Sequence, residues 1–200
     1  MKTILYLHGF FASGSCVPAR ALHEALDDTC RVLTPDLPLH PHEALASIRA
    51  LCEKEHPDLI VGNSCGSFYG QMISIETGIP ALLGNPYFMM TEFLEPRLGE
   101  HQYKSPRQDG RQDFLIDLDL IREFRELEQI QFNRCSTEHR GKIWGIFGDN
   151  DTLAHFEPMF REHYDKVFHF PGGHTPTAEE VKTWHVPLIK QMLNQQPSKQ

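Results

Sequence analysis

No Cys-x-x-Cys pair occurs among the five cysteines, Cys16, Cys30, Cys52, Cys65 and Cys135. Odd in number and dispersed, they suggest neither a disulfide framework nor a zinc site, and no bound metal is expected. No apolar run approaches the roughly 20 residues that a membrane span requires. The stretch after Met1-Lys2 stays apolar for only four residues, Ile4 to Leu7. That is short of the roughly 7–15 of a signal-peptide core, so the expected location is the cytoplasm. Positive charge is in the minority, with 19 Lys+Arg against 27 Asp+Glu and a formal net charge of -8. Such a balance supplies no phosphate-tracking surface, so neither nucleic acid nor an anionic membrane is an expected partner. There is no internal repeat and no low-complexity segment. What remains is a single domain over residues 1–200, a monomer or homodimer, large enough to bury roughly 70% of its unfolded surface without staples.

Within those bounds, short apolar runs alternate with helical stretches. Strands are predicted over Thr3–Leu7, Arg31–Pro35, Leu59–Asn63, Ala81–Gly84, Lys142–Phe147 and Lys166–Phe170. They read as continuous apolar runs, the pattern of strands buried on both faces. Helices are predicted over Val17–Leu26, Pro41–Glu55, Cys65–Thr77 and Thr177–Leu193. The last has a Thr177/Glu180 capping box and a face of Val181, Trp184, Leu188 and Met192, with Pro187 expected to kink it. Alternation of this kind implies an α/β fold with a mostly parallel sheet and helices on both sides. Residues Tyr87 to Arg140 break the alternation and read as an insertion, far longer than the roughly dozen residues a crossover needs. Inside it, Asp113–Gln131 is predicted helical, with Leu120, Phe124, Leu127 and Gln131 on one stripe beside Leu118 and Ile121. Much of the charge is concentrated in that helix, so net acidity says little about the surroundings of any site.

The chemistry centres on Gly62-Asn63-Ser64-Cys65-Gly66, which follows Leu59-Ile60-Val61 and opens a helix. A serine on a sharp strand-to-helix turn is pushed into an exposed, strained position, and glycines two residues to either side leave room for it. Such a serine needs a base. Ligands gather at the carboxyl ends of strands in open α/β sheets, and His174 follows the Val167–Phe170 run in Pro171-Gly172-Gly173-His174. His8 also stands at a strand end, but Gly9 beside it suggests another role. The histidine in turn needs an acid. Asp149 and Asp151, in Gly148-Asp149-Asn150-Asp151, both follow a strand, and one of them is expected to serve only the turn. Negative charge on a reacting carbonyl calls for two backbone donors. The expected pair is the N–H of Cys65, at a helix start, and that of Phe10, where Gly9 lets the loop approach.

Leu7-His8-Gly9-Phe10, Gly62–Gly66, Gly148–Asp151 and Gly172–His174 together resemble the α/β-hydrolase superfamily, and more closely its small bacterial YqiA-like esterases. Those open on a Tyr-Leu-His-Gly-Phe strand, continue through a serine-rich loop, carry an Asn-Pro like Asn85-Pro86 and end on a Gly-Gly-containing histidine motif. The chain departs from them at Cys65, where leucine is usual, and within the insertion. The resemblance implies a three-layer α/β-hydrolase fold with a mostly parallel sheet of about six strands, in order 2-1-3-4-5-6, and a helical lid from the insertion at about 87–140. It selects Asp151 as the acid through an Asp-x-x-x-x-aromatic pattern ending at Phe156, leaving Asp149 to the turn. It also implies an apolar lid wall from Phe88, Met89, Met90, Phe93 and Leu94, with Phe11, Phe88 and Met89 as substrate-binding residues.

The expectation is a serine hydrolase acting on a small-molecule carboxylic ester or thioester through an acyl-enzyme on Ser64, with no cofactor. The alternative is a non-catalytic ligand-binding protein that kept the fold. A redox role for Cys65 at its helix N-terminus is the remaining option, and its side chain is expected to lie in packing instead.

Overall fold

The computed structural model describes residues 1–195; of the loose end expected from Asn194 onward, residues 196–200 lie outside the described residues. The strand β1 (Lys2–Leu7), α1 (Val17–Leu26), β2 (Cys30–Leu33), α2 (Pro41–Glu55), β3 (Leu59–Asn63), α3 (Cys65–Thr77) and β4 (Ala81–Gly84) alternate as predicted. The insertion follows with α4 (Met90–Leu94), β5 (Gly99–Gln102), β6 (Asp113–Ile116), α5 (Leu118–Glu128) and α6 (Thr137–Arg140). The chain ends on β7 (Ile143–Gly148), α7 (Glu157–His163), β8 (Lys166–Phe170), α8 (Ala178–Glu180) and α9 (Val186–Asn194).

Six strands form one sheet in the order β2-β1-β3-β4-β7-β8, and every neighbouring pair is parallel. Counted along this sheet alone, that is the expected 2-1-3-4-5-6 order. Leu5, Leu7, Ile60, Leu83 and Ile143 face α2, α3 and α5, whereas Ile4, Tyr6, Val61, Leu82 and Ile146 face α1 and α9. Two separate apolar layers thus lie on the two faces of the sheet, which is why its inner strands carry unbroken apolar runs.

Three local expectations are corrected. The Asp113–Gln131 stretch is not one helix. Its first four residues alternate exposed and buried, which suits a strand, and they pair antiparallel with β5. The insertion is therefore helical and hairpin together. Asp117 then starts α5 by accepting the Leu120 N–H at 2.8 Å. Leu120, Ile121, Phe124 and Leu127 are buried, but Leu118 is 71% exposed because it stands at the helix start on the outer side. Gln131, on the same stripe, is buried as part of a polar chain: it accepts from Gln71 at 2.8 Å and donates to the Phe88 carbonyl at 3.0 Å.

The third correction concerns the last helix. Thr177 and Glu180 do form the capping box. Then a widened turn over Val181–His185 intervenes, closed by the Val186 N–H on the Val181 carbonyl, and it precedes Pro187. Proline has no N–H to give and is accommodated in the first turn of α9. The extra residue rotates the face, so Val181, His185, Val186, Ile189 and Met192 are buried while Trp184 turns outward.

His185 is thereby buried against Phe170, and burial pushes its imidazole down to about 4. Unfolded, the same ring takes up a proton near its ordinary value of about 6.5. Between those limits the unfolded chain binds more protons, so stability falls as pH drops from about 6.5 to about 4 by about 3 kcal/mol for such a group. Urea midpoints measured across that window should decline accordingly, with a shallower slope in His185→Gln.

Candidate active site

The elbow is set by steric exclusion. Ser64 sits between β3 and α3 with φ 55° and ψ -119°, a left-handed conformation that side chains rarely adopt. A Cβ on Gly62 would lie 2.6 Å from the Gly66 carbonyl oxygen, and one on Gly66 would overlap the Leu7 carbonyl. Only glycine at these two positions lets α3 start so close to β3 and the end of β1. The Ser64 N–H is held by the Gly84 carbonyl at 2.9 Å, which fixes the turn to β4.

Ser64 Oγ–H donates to His174 Nε2 at 2.8 Å, and His174 Nδ1–H donates to Asp151 Oδ2 at 2.9 Å. The other Asp151 oxygen accepts the N–H groups of Leu153 at 2.7 Å and Ala154 at 3.1 Å. Burial pushes the Asp151 carboxyl up, but the bonds from His174, Leu153 and Ala154 outweigh it and hold the group below its ordinary range. It is therefore an ionised carboxylate aimed at His174. Asp149 points elsewhere and accepts from the exposed His169 at 3.0 Å. The structure thus brings Ser64, Asp151 and His174 together and leaves Asp149 outside.

Two positioning residues are visible in the sequence only as a motif, with no role attached. Asn85, almost fully buried after β4, donates to the Gly173 and His174 carbonyls, both at 2.9 Å, and accepts the Gly148 N–H at 2.7 Å. One side chain therefore fixes the loop of the histidine to the strand end that precedes Asp151. His8 is the second. Its Nδ1–H donates to the Gly9 carbonyl at 2.8 Å, and its Nε2 accepts the Leu37 N–H at 3.0 Å. Burial pushes its imidazole down to about 4, so the neutral form these two bonds require is the one present. Because the Gly9–Phe10 peptide is planar, holding its carbonyl also sets the direction of the Phe10 N–H.

Gly9 lies beside the serine: a Cβ there would stand 3.5 Å from Ser64 Cβ. The Phe10 and Cys65 N–H groups have no acceptor among the described residues. The Cys65 side chain is buried, and burial pushes its thiol up to about 12. That environment gives an inert thiol rather than a redox centre.

Above Ser64 opens a cavity of about 470 Å³, walled on one side by Phe10, Phe11, Phe93 and Leu153. Phe11 is where the sequence places it. Phe88 and Met89 are not. Gln131 holds the Phe88 carbonyl and Glu128 accepts the Thr91 N–H at 2.7 Å, so this backbone is drawn under α5. Phe88 is fully buried against Phe132 and Phe156, and Met89 caps α4 outside the cavity lining. Met90 and Leu94 are likewise buried, leaving Phe93 as the residue of that segment that reaches the cavity. Among the described residues no group of three His, Cys, Asp or Glu could hold a metal, and no helix is long and apolar enough to cross a membrane.

Two measurements check this geometry. Asn85→Ala leaves three part-buried backbone groups without their partner and should cost about 2–3 kcal/mol in urea unfolding, more than an isolated side-chain deletion. Iodoacetamide applied to the folded protein should leave Cys65 unmodified in a peptide map, with alkylation appearing only after denaturation.

Solved structures of similar shape are Est1E from Butyrivibrio proteoclasticus (15% identity, TM-score 0.73, 97% of this chain and 89% of that one). The monoacylglycerol lipase of Paleococcus ferrophilus also matches (12% identity, TM-score 0.70, 96% and 94%). So does the esterase domain of a Rhodothermus marinus protein (16% identity, TM-score 0.69, 96% and 87%). At these identities the likeness establishes an α/β-hydrolase fold. Residues 3–165, which include Ser64 and Asp151, match the uncharacterised protein family UPF0227, and the chain belongs to that family.

Proposed function

We propose that the protein is a serine hydrolase of small carboxylic esters or thioesters. The observation that carries this is the unbroken relay from Ser64 Oγ through His174 to Asp151, at 2.8 Å and 2.9 Å, with Ser64 and His174 lining the cavity. That the structural neighbours named above include esterases and a lipase is consistent with it.

Ser64 Oγ attacks the carbonyl carbon as His174 Nε2 takes its proton. Asp151, kept ionised by its hydrogen bonds, holds the imidazole in the right tautomer and stabilises the imidazolium. The carbonyl oxygen becomes negative and is met by the N–H groups of Phe10 and Cys65, each such donor contributing roughly 2.7–4 kcal/mol to the transition state. Collapse breaks the bond to the alkoxide or thiolate, which leaves with the proton from His174. Water, deprotonated by the same nitrogen, then attacks the acyl group on Ser64 and frees the acid. No step calls on a cofactor. The aromatic wall of Phe10, Phe11 and Phe93 suits a compact acyl or aryl group.

A fluorophosphonate probe should label the wild-type protein and fail to label Ser64→Ala; retained labelling in that variant would remove Ser64 from the mechanism. On 4-nitrophenyl butyrate, Asp151→Asn should lower kcat by about 10⁴-fold, the cost of presenting the wrong tautomer. Asp149→Asn should stay within about twofold, as expected for an exposed turn residue. Equal losses in the two variants would contradict the assignment of the acid.

A further inference from the structure

The cavity above Ser64 does not share the electrostatics of the rest of the molecule. The formal net charge is -8, yet among the described residues no aspartate or glutamate lines the cavity, and the charged lining residues are the cations Arg20 and Lys104. They come from opposite sources, Arg20 from α1 and Lys104 from the hairpin of the insertion. Both are exposed at the mouth, and neither has a carboxylate within ion-pair distance among the described residues. Glu24, one helical turn after Arg20, is already paired with Lys182 at 2.8 Å. Asp36, behind the same loop, spends its two oxygens on the backbone N–H groups of Gly14 and Gln108, at 2.8 Å and 2.5 Å.

The two cations are also anchored. The Lys104 N–H donates to the Phe11 carbonyl at 2.7 Å, and its ammonium stands 5.6 Å from the centre of the Phe11 ring. The Arg20 guanidinium donates to the Ser15 carbonyl. Ser13 Oγ donates to the Pro106 carbonyl at 2.7 Å, stitching the segment beyond Lys104 to the loop after β1. Both residues are thus tied to the 9–15 loop that carries the Phe10 N–H, Arg20 through its guanidinium and Lys104 through its backbone. Two cations at one opening, neither in contact with a carboxylate, favour a positive potential there, and a guanidinium keeps a fork of donors suited to a carboxylate or phosphate.

We propose that Arg20 and Lys104 form a subsite for an anionic group of the substrate. The preferred esters then carry a compact apolar or aromatic part against Phe10, Phe11 and Phe93 and a carboxylate or phosphate at the far end. This rests on the serine-hydrolase reading above and specifies its substrate class.

The test compares one neutral ester with three anionic ones. 4-Nitrophenyl butyrate is the reference. 4-Nitrophenyl hemiglutarate places a carboxylate on the acyl side, whereas 4-butyryloxybenzoate and 4-butyryloxyphenyl phosphate place a carboxylate or a phosphate on the leaving group. The quantity read is kcat/KM for each anionic ester divided by that for the reference, in wild type, Arg20→Gln, Lys104→Gln and Lys104→Arg. For at least one anionic ester the ratio should fall by about 2–5-fold in each glutamine variant and be restored in Lys104→Arg. It should also shrink in wild type as NaCl rises from about 0.02 to about 0.5 M. Ratios unchanged in both glutamine variants for all three anionic esters overturn the subsite while leaving the hydrolase intact. A fall in only one variant overturns the two-cation subsite. A wild-type protein that hydrolyses none of the four esters overturns the hydrolase reading, and the subsite with it.

Discussion

The closest backbone approach in the site, the first turn of α3 against the end of β1, governs everything around it. Because Gly66 meets the Leu7 carbonyl with no room for a Cβ, the helix starts directly over the strand end, and Ser64 is forced into its left-handed conformation. The same approach puts Gly9 beside Ser64 and so aligns the loop after β1 with the helix N-terminus. The strain at Ser64 is sustained by the packing of β1, β3 and α3.

Around this contact a small set of buried polar groups transmits position between loops. Asn85 couples the carbonyl ends of β7 and β8, and His8 fixes the Gly9–Phe10 peptide from behind. Each works because its hydrogen bonds are complete; a buried amide or imidazole with partners on both sides has one low-energy orientation. The insertion is tied in by the same means. Gln131 joins it to α3 through Gln71, Glu128 joins α4 to α5, and Lys104 joins the hairpin to the loop after β1. Bonded outward to α3 and to the loop after β1, and braced internally by Glu128, it is an integral wall of the cavity. The acidity of the chain is also unevenly placed: carboxylates are taken up by ion pairs and backbone N–H groups around the site, and the mouth is left to two cations.

Much of this was legible in the sequence because it depends on neighbours along the chain. Unbroken apolar runs of four to six residues separated by helical periodicity marked the strands of the sheet almost to the residue. The errors fell where a short segment had two physically acceptable forms. Asp113–Ile116 is a short, largely apolar stretch that could open the following helix or form a strand, and the choice was made by pairing with Gly99–Gln102. Val181–His185 carries an ordinary helical pattern, and the following proline converted it into a widened turn that sent Trp184 outward. Phe88 belongs to the apolar lid segment that the resemblance implies, but apolarity is shared equally by core and wall.

The sequence by itself determined the fold class, the glycine-flanked serine and the order in which serine, acid and histidine candidates follow strand ends, because these are set by local sterics and periodicity. It also excluded a disulfide framework and left Asp149 and Asp151 as equivalent turn residues until a resemblance chose between them. Only the tertiary structure decided which aspartate reaches His174, that Asn85 and His8 hold the surrounding loops, and that Phe88 is core while Phe93 is wall. It also brought Arg20 and Lys104 to one opening. These are meetings of residues far apart in the chain, and they come from how layers pack and loops are pinned, which no local spacing encodes.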